Sequence, residues 1–169
     1  PEFTSEATFT ADENQTAIGS VIASDAEGDG ITFTVSGTEL AITSAGVLTF
    51  VAAPDFETKA SYTATVTAND GVNDSTQDIT VNVTNVNDNS PVFTLSATYS
   101  AAENQTAISS VSATDADGDS VTFSVSGTEL AITSAGVLTF ASAPDYETKS
   151  TYTATLTASD GTNSTTQDM

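Results

Sequence analysis

The feature that most constrains the fold is an internal repeat with a period of 90 residues. A shift of 90 positions aligns residues 1–79 with residues 91–169 without a gap, and 55 of the 79 aligned pairs are identical. The block GTELAITSAGVLTF occurs unchanged at 37–50 and 127–140. Ninety residues are enough for one small domain. We therefore predict two copies of one domain, at 1–90 and 91–169, joined by a linker at 85–90.

Within each copy, apolar and polar residues alternate with a period of two. Tyr62, Ala64, Val66 and Ala68 alternate with threonines, which is the pattern of a half-buried strand. Gly, Asn, Asp and Pro separate such runs, and no segment of useful length has the helical period. The strands predicted for the first copy lie at 7–11, 18–24, 31–36, 40–43, 47–50, 62–68 and 79–84.

Seven short strands in one copy predict an all-β fold of tandem antiparallel Greek-key β-sandwiches of immunoglobulin-like size. Met169 aligns with Ile79, so we expect the second copy to lack the final strand. Either the chain is cut from a longer array or has lost its tail, or a strand of a neighbouring molecule completes the sheet. The predicted core residues are Phe33, Leu48, Phe50, Tyr62 and Val66, with Phe123, Leu138, Phe140, Tyr152 and Leu156 in the second copy.

The charge of the chain excludes several functions. It has 23 acidic and two basic residues, a formal charge of −21, and no His or Cys. Nucleic-acid binding needs Lys and Arg, and no apolar run is long enough for insertion into a membrane. Thiol, imidazole and zinc chemistry lack their residues. Since clustered carboxylates repel each other, we expect hard cations to neutralise them.

Two known kinds of carboxylate site, the EF-hand loop and the active site of a glycoside hydrolase, match this sequence poorly. DADGDS at 115–120 begins like an EF-hand loop, but that loop needs Gly at its sixth position and Glu at its twelfth. Those positions hold Ser120 and Ser126. Asp55 and Glu57 could act as the pair of a glycoside hydrolase, yet no aromatic platform for a sugar is evident. We therefore predict that the chain is not an enzyme.

The acidic residues recur in a fixed order. The motifs are E-N at 13–14 and 103–104, D-A-[ED]-G-D at 25–29 and 115–119, P-D-[FY]-E at 54–57 and 144–147, single residues Asp70 and Asp160, and N-V-N-D-N at 85–89. In order and spacing, over its whole length, the chain resembles tandem cadherin repeats. The resemblance implies Ca²⁺ between consecutive repeats, about three ions per junction, held by oxygen ligands.

The resemblance also assigns the ligands. For the junction they are Glu13, Asp55, Glu57, Val86 through its carbonyl, Asn87, Asp88, Asn89 through its carbonyl, Asp115, Asp117 and Asp160. Half-sites towards neighbouring repeats are formed by Asp25, Glu27 and Asp70, and by Glu103, Asp145 and Glu147. One backbone donor of the family has no clear match, and Asp119 or a nearby carbonyl is the candidate.

The resemblance implies an extracellular or cell-surface protein. Nearly identical repeats without Cys, rich in Thr, Ser and Ala, favour a large bacterial surface or secreted adhesin. We expect a calcium-rigidified extension module of an adhesin or fibre, whose partners are neighbouring repeats of the same chain. The alternatives are direct adhesion, to like chains or to a surface polysaccharide, and a strand-donated polymerising fibre subunit. Strand-exchanging vertebrate cadherins anchor through a Trp near the first strand, and this chain has no Trp.

Overall fold

A computed structural model describes residues 1–169 as two compact all-β units. Unit 1 spans Pro1–Val86 and unit 2 spans Asn87–Met169. The predicted all-β class is confirmed. No helix is present that could cross a bilayer.

Unit 1 consists of nine strands. They are β1 Glu2–Phe3, β2 Thr8–Asp12, β3 Ala17–Ser20, β4 Ala23–Ser24, β5 Thr32–Val35, β6 Leu40–Ile42, β7 Val47–Phe50, β8 Ser61–Asn69 and β9 Asp74–Thr84. One sheet has the order β2-β9-β8-β5 and another the order β3-β7-β6, while β1 pairs with β4. The core includes Leu48, Val66 and Val81, each fully buried. The half-buried Tyr62 ring packs edge-on against Phe50, with ring centroids 5.0 Å apart.

The strands of unit 1 differ from the expectation in three ways. The predicted strand 18–24 is two strands, because β3 pairs with β7 and β4 pairs with β1. The predicted strand 79–84 is only the second half of β9. The first half, residues 74–78, contains polar residues only, so it shows no alternation of apolar and polar side chains. Strand β2 pairs with β9 in parallel, and side-chain alternation does not encode strand direction.

Unit 2 consists of eight strands. They are β10 Val92–Phe93, β11 Ala107–Ser110, β12 Ala113–Thr114, β13 Thr122–Val125, β14 Leu130–Ile132, β15 Val137–Phe140, β16 Thr155–Ser159 and β17 Ser164–Asp168. The sheets have the orders β13-β16-β17 and β11-β15-β14, and β10 pairs with β12. Leu138 and Leu156 are fully buried, as predicted. Phe123, Phe140 and Tyr152, also predicted for the core, are half-buried.

The final strand of unit 2 is shortened, not absent. Strand β17 corresponds to the first half of β9 and pairs with β16, from Thr155 opposite Asp168 to Ser159 opposite Ser164. The ladder continues by two hydrogen bonds between the backbones of Ala154 and Met169. The expectation that unit 2 lacks its last strand therefore holds only for the second half of that strand.

Candidate metal centre

Glu13 links three segments at the base of unit 1. It follows β2 directly, and the residue is 3% exposed. One carboxylate oxygen accepts a hydrogen bond from Phe56 N–H at 2.8 Å, and the other accepts one from Val86 N–H at 2.7 Å. Asn14 then turns the chain at φ 63°, a backbone conformation that Asn tolerates better than most residues. The E-N motif thus has a local structural role in addition to its charge.

The loop between β7 and β8 supplies the other two predicted ligands at this base. Asp55 begins the turn at 56–58, because its carboxylate accepts hydrogen bonds from Thr58 N–H at 3.1 Å and from the Thr58 hydroxyl at 3.0 Å. Glu57 is exposed, and one of its carboxylate oxygens lies within 4.8 Å of one of Glu13. Two predicted calcium ligands therefore meet within unit 1.

The same motifs meet at the base of unit 2. Glu103, Asp145 and Glu147 each place a carboxylate oxygen within 4.8 Å of the others, and all three residues are exposed. The Thr148 hydroxyl donates to Asp145 at 2.9 Å and Glu147 N–H donates to it at 3.1 Å. The hydroxyl bond, with the backbone bonds, outweighs burial and lowers the pKa of Asp145. Asp145 therefore carries its charge at neutral pH.

The opposite end of unit 1 holds the predicted half-site carboxylates of Asp25 and Asp70. Their Oδ2 atoms lie 3.4 Å and 3.8 Å from the Pro1 nitrogen, so the two carboxylates face the same point. Asp25 also accepts a hydrogen bond from Glu27 N–H at 2.9 Å, while the Glu27 side chain is exposed. Backbone hydrogen bonds lower the pKa of both carboxyl groups. The largest contribution comes from Asp29 N–H at Asp25 and from Asn73 N–H at Asp70. This half-site is thus two neighbouring carboxylates whose backbone hydrogen bonds favour the ionised form.

The equivalent carboxylates of unit 2 each have one oxygen without a hydrogen-bond donor. Asp115 Oδ2 and Asp160 Oδ2 are buried and receive no hydrogen bond. Their other oxygens are satisfied by the backbone, Asp115 Oδ1 by Asp117 N–H at 3.1 Å and Asp160 Oδ1 by Thr162 N–H at 2.6 Å. A buried charged oxygen without a donor costs free energy unless a cation or another donor compensates it.

Burial and hydrogen bonding oppose each other at Asp160. Burial acts to raise the pKa of its carboxyl group, but the hydrogen bonds from Asn163 N–H and Thr162 N–H together lower it further. The net pKa is therefore below the ordinary value of an aspartate. Asp160 stays ionised although its second oxygen is unsatisfied, which suits a cation ligand.

Asp115, Asp117 and Asp119 form a cluster at this end of unit 2. Each places a carboxylate oxygen within 4.8 Å of the others. Asp119 N–H also donates to Asp115 Oδ1 at 3.3 Å. Asp119, the candidate for the donor of the family that had no clear match, therefore lies beside the predicted ligands Asp115 and Asp117.

Asp117 and Asn163 fix the start of unit 2. Asp117 Oδ2 accepts hydrogen bonds from Asp88 N–H at 3.1 Å and Asn89 N–H at 2.8 Å. The Asn163 amide donates to Asn87 Oδ1 at 2.7 Å and to the Asn89 carbonyl at 3.1 Å. Asn163 was missed in the sequence, although the D-G-x-N spacing from Asp160 repeats at Asp70 and Asn73. The predicted linker ligands at 87–89 are thus held against unit 2.

The donor set fits a hard divalent cation. Within each unit the clusters consist of carboxylates, with backbone carbonyls and Asn oxygens beside them, and Ca²⁺ takes six to eight such ligands. Two buried carboxylate oxygens, Asp115 Oδ2 and Asp160 Oδ2, lack a hydrogen-bond donor, which a bound cation would explain. The role of each residue as a ligand remains a prediction.

Comparison with known proteins identifies the fold. No protein-family model matches the sequence. The mouse cadherin EGF LAG seven-pass G-type receptor 1 is 30% identical over 125 residues, which cover 68% of this chain and 4% of that protein. The human receptor 2 of the same name is 33% identical over 129 residues, 69% of this chain and 4% of that protein. The chain thus spans a small fraction of these relatives, and their animal origin gives no support to the bacterial source expected from composition.

Solved structures agree with the sequence matches. The crystal structure of human protocadherin-24 EC1-2 superposes with a TM-score of 0.81 at 20% identity, over 99% of this chain and 92% of that one. Mouse cadherin-23 EC22-24 gives a TM-score of 0.80 at 24% identity, over 99% of this chain and 64% of that one. Cadherin repeats are a non-enzymatic fold family of adhesion proteins, which agrees with the prediction that the chain is not an enzyme. The chain therefore consists of two cadherin-like β-sandwich repeat domains.

Proposed function

We propose that this chain is a calcium-rigidified extension module of a cell-surface adhesin or fibre. Calcium ions, about three of them, bind between the two units to the ten junction residues named from the sequence. The base of unit 1 contributes Glu13, Asp55 and Glu57, and unit 2 contributes Asp115, Asp117 and Asp160. Residues 86–89 contribute the remaining ligands from the linker.

The observation that carries the proposal is the pair of buried oxygens in unit 2. Asp115 Oδ2 and Asp160 Oδ2 are buried and lack a hydrogen-bond donor. A buried charged oxygen in this state costs free energy unless a cation compensates it. A divalent ion would supply the compensating charge.

Charge gives calcium a mechanical role. Seven of the proposed junction ligands are carboxylates, and two carboxylates about 4 Å apart repel by about 4 kcal/mol at an effective dielectric constant of 20. Three calcium ions bring six positive charges, so the filled junction is nearly neutral. Removal of calcium restores the repulsion, and the joint between the units becomes free to bend.

The acidic clusters away from the junction extend the proposal to neighbouring repeats. Asp25 and Asp70 at one end, and Glu103, Asp145 and Glu147 at the other, are the same motifs as those at the junction. They would bind calcium together with adjacent repeats of the same chain. An extracellular or cell-surface location follows, because calcium there is plentiful enough to fill sites of moderate affinity.

A calcium titration with matched variants tests the proposal. Calcium at about 100 times its dissociation constant stabilises the folded state by about 2.7 kcal/mol, which corresponds to a rise in Tm of about 5–10 °C for a chain of this size. Asp160→Asn removes the buried charge but keeps an oxygen acceptor for Thr162 N–H, so we expect it to abolish most of this rise. Asp168→Asn removes one charge from β17 and should leave the rise intact. Equal calcium-induced shifts in both variants would contradict the proposal.

A further inference from the structure

Four aspartates of the chain are followed directly by glycine. They are Asp29, Asp70, Asp117 and Asp160. In such a pair the backbone nitrogen of the glycine can attack the side chain of the aspartate, because glycine brings no Cβ atom and has the widest choice of backbone conformations. The attack requires that the carboxyl carbon and the nitrogen are free to approach each other. The four pairs differ in this freedom.

Both groups of the Asp70–Gly71 pair are held by hydrogen bonds. Asp70 Oδ1 accepts one from Val72 N–H at 2.8 Å and one from Asn73 N–H at 2.7 Å. Gly71 N–H donates to Asn69 Oδ1 at 2.8 Å. Ring closure between Asp70 and Gly71 would break these bonds, so the fold protects this pair.

The Asp160–Gly161 pair is held in the same way. Asp160 Oδ1 accepts hydrogen bonds from Thr162 N–H and from Asn163 N–H, both at 2.6 Å. Gly161 N–H donates to Ser159 Oγ at 3.1 Å. The same turn therefore protects the aspartate in both copies, although the acceptor for the glycine differs.

The carboxylate of Asp117 is held at both oxygens. Oδ2 accepts hydrogen bonds from Asp88 N–H at 3.1 Å and from Asn89 N–H at 2.8 Å. Oδ1 accepts one from the side-chain amide of Asn89 at 3.0 Å. The carboxyl group cannot turn towards the nitrogen of Gly118 without losing these bonds.

The Asp29–Gly30 pair has no such restraint. It lies between β4 and β5, outside any strand, and both residues are exposed. Asp29 N–H donates to Asp25 Oδ1 at 3.3 Å, but the Asp29 carboxylate accepts no hydrogen bond and Gly30 N–H donates none. A Cβ atom at Gly30 would meet no atom within 4 Å apart from its chain neighbours. Both reacting groups are therefore free to move.

The same loop position recurs in unit 2 without the glycine. Asp119 is the counterpart of Asp29, and it is also exposed. Asp119 N–H donates to Asp115 Oδ1 at 3.3 Å, the same bond at the same length as in unit 1. Ser120 follows Asp119 where Gly30 follows Asp29. The chain thus provides one loop position with glycine and one with serine.

We propose that Asp29–Gly30 is a site of spontaneous isoaspartate formation, and the fastest of the four Asp-Gly pairs in the folded chain. The nitrogen of Gly30 attacks Asp29 Cγ, and a bond forms between these atoms. One carboxylate oxygen leaves as water with the amide proton and a proton from solvent. Water then opens the resulting succinimide at either carbonyl, which restores aspartate or yields isoaspartate. In isoaspartate the backbone runs through the former side chain and is one carbon longer.

Ageing of the full chain at neutral pH, well below its unfolding temperature, tests the proposal. Chelator is present, so that hydrogen bonds alone protect the other pairs, and mass spectrometry with electron-transfer fragmentation distinguishes isoaspartate from aspartate. We expect isoaspartate at position 29 to form about 100-fold faster than at 70, 117 or 160, because misplaced reacting groups can cost such a factor. In denaturant the four pairs should react at similar rates. Equal rates at the four pairs of the folded chain would overturn the proposal.

Exchange of the residue after the aspartate provides matched variants. Gly30→Ser gives the loop of unit 1 the residue of unit 2, and we expect isoaspartate at 29 to form several-fold more slowly. Ser120→Gly is the reciprocal change and should create a new site at Asp119. Circular dichroism verifies that both variants are folded. The proposal is also overturned if the original chain forms no isoaspartate at 29, if Gly30→Ser leaves the rate unchanged, or if Ser120→Gly creates no site.

Discussion

A Glu13 carboxylate oxygen accepts a hydrogen bond from the Val86 backbone N–H at 2.7 Å. This bond joins the end of β2 to the first residue beyond β9 that was predicted as a calcium ligand. The same carboxylate accepts a second bond from Phe56 N–H at 2.8 Å. Glu13 therefore organises the base of unit 1 through its own hydrogen bonds, and it presents a negative charge at the position where the proposal needs one.

Substitution of Glu13 tests its structural role. Glu13→Ala leaves two backbone N–H groups without their charged acceptor, and we expect a loss of about 3 kcal/mol in the stability of unit 1. Amide exchange at the core residues Leu48 and Val66, measured without calcium, reports this loss. The control is Glu103→Ala, at the exposed counterpart, for which we expect a loss in unit 2 below about 1 kcal/mol. Similar losses from both substitutions would show that burial of Glu13 has no energetic consequence.

The turn between β6 and β7 provides a test of the fold. Gly46 has φ +88°, and a Cβ atom there would lie 2.3 Å from the Val21 carbonyl oxygen. Gly37 has φ +80° but open space around its Cβ position. We expect Gly37→Ala to cost about 1 kcal/mol from backbone strain, and Gly46→Ala to cost about 1–3 kcal/mol more from overpacking. Urea denaturation of both variants measures the difference, and equal costs would contradict the described approach of Val21.

Asn163 is expected to tune calcium affinity without binding the ion. Its amide holds Asn87 Oδ1 and the Asn89 carbonyl, so Asn163→Ala frees two linker residues that the proposal counts as ligands. Loss of such an orienting group typically weakens metal binding 10- to 100-fold, and we expect a decrease of about 10-fold by isothermal titration calorimetry. Asn73→Ala, at the equivalent position of unit 1, should leave the junction affinity unchanged. An unaltered calcium affinity in Asn163→Ala would contradict the proposal that the linker residues Asn87 and Asn89 bind the ion.

The sequence predicted those parts of the fold that depend on alternation. Val47–Phe50 is found as predicted, and its alternate residues Leu48 and Phe50 are buried in the core. The two-residue strands β1 and β4 are too short to alternate, and the first half of β9 is polar throughout. The parallel pairing of β2 with β9 is set by the path of the chain between them, which no local pattern encodes.

The candidate site could be predicted where acidic residues occur at a characteristic spacing. Asp115 and Asp117 were identified by their D-x-D spacing, and the structure adds Asp119 to them. Asn163 could not be recognised as an orienting group, because a single amide in a polar turn is common. Asp55 also begins a turn through its contacts with Thr58. Glu13 also bridges segments through Phe56 and Val86, which are distant from it in the sequence. Ligand spacing alone does not reveal them.

The central claim is that calcium stiffens the joint between the units, and small-angle X-ray scattering of the full chain tests it most directly. With calcium in excess, we expect the distance distribution of a single extended rod. After chelation, repulsion among the junction carboxylates should broaden the distribution, and Asp88→Ala should show this broadening even in calcium. Scattering profiles that are identical with calcium and with chelator would contradict the claim.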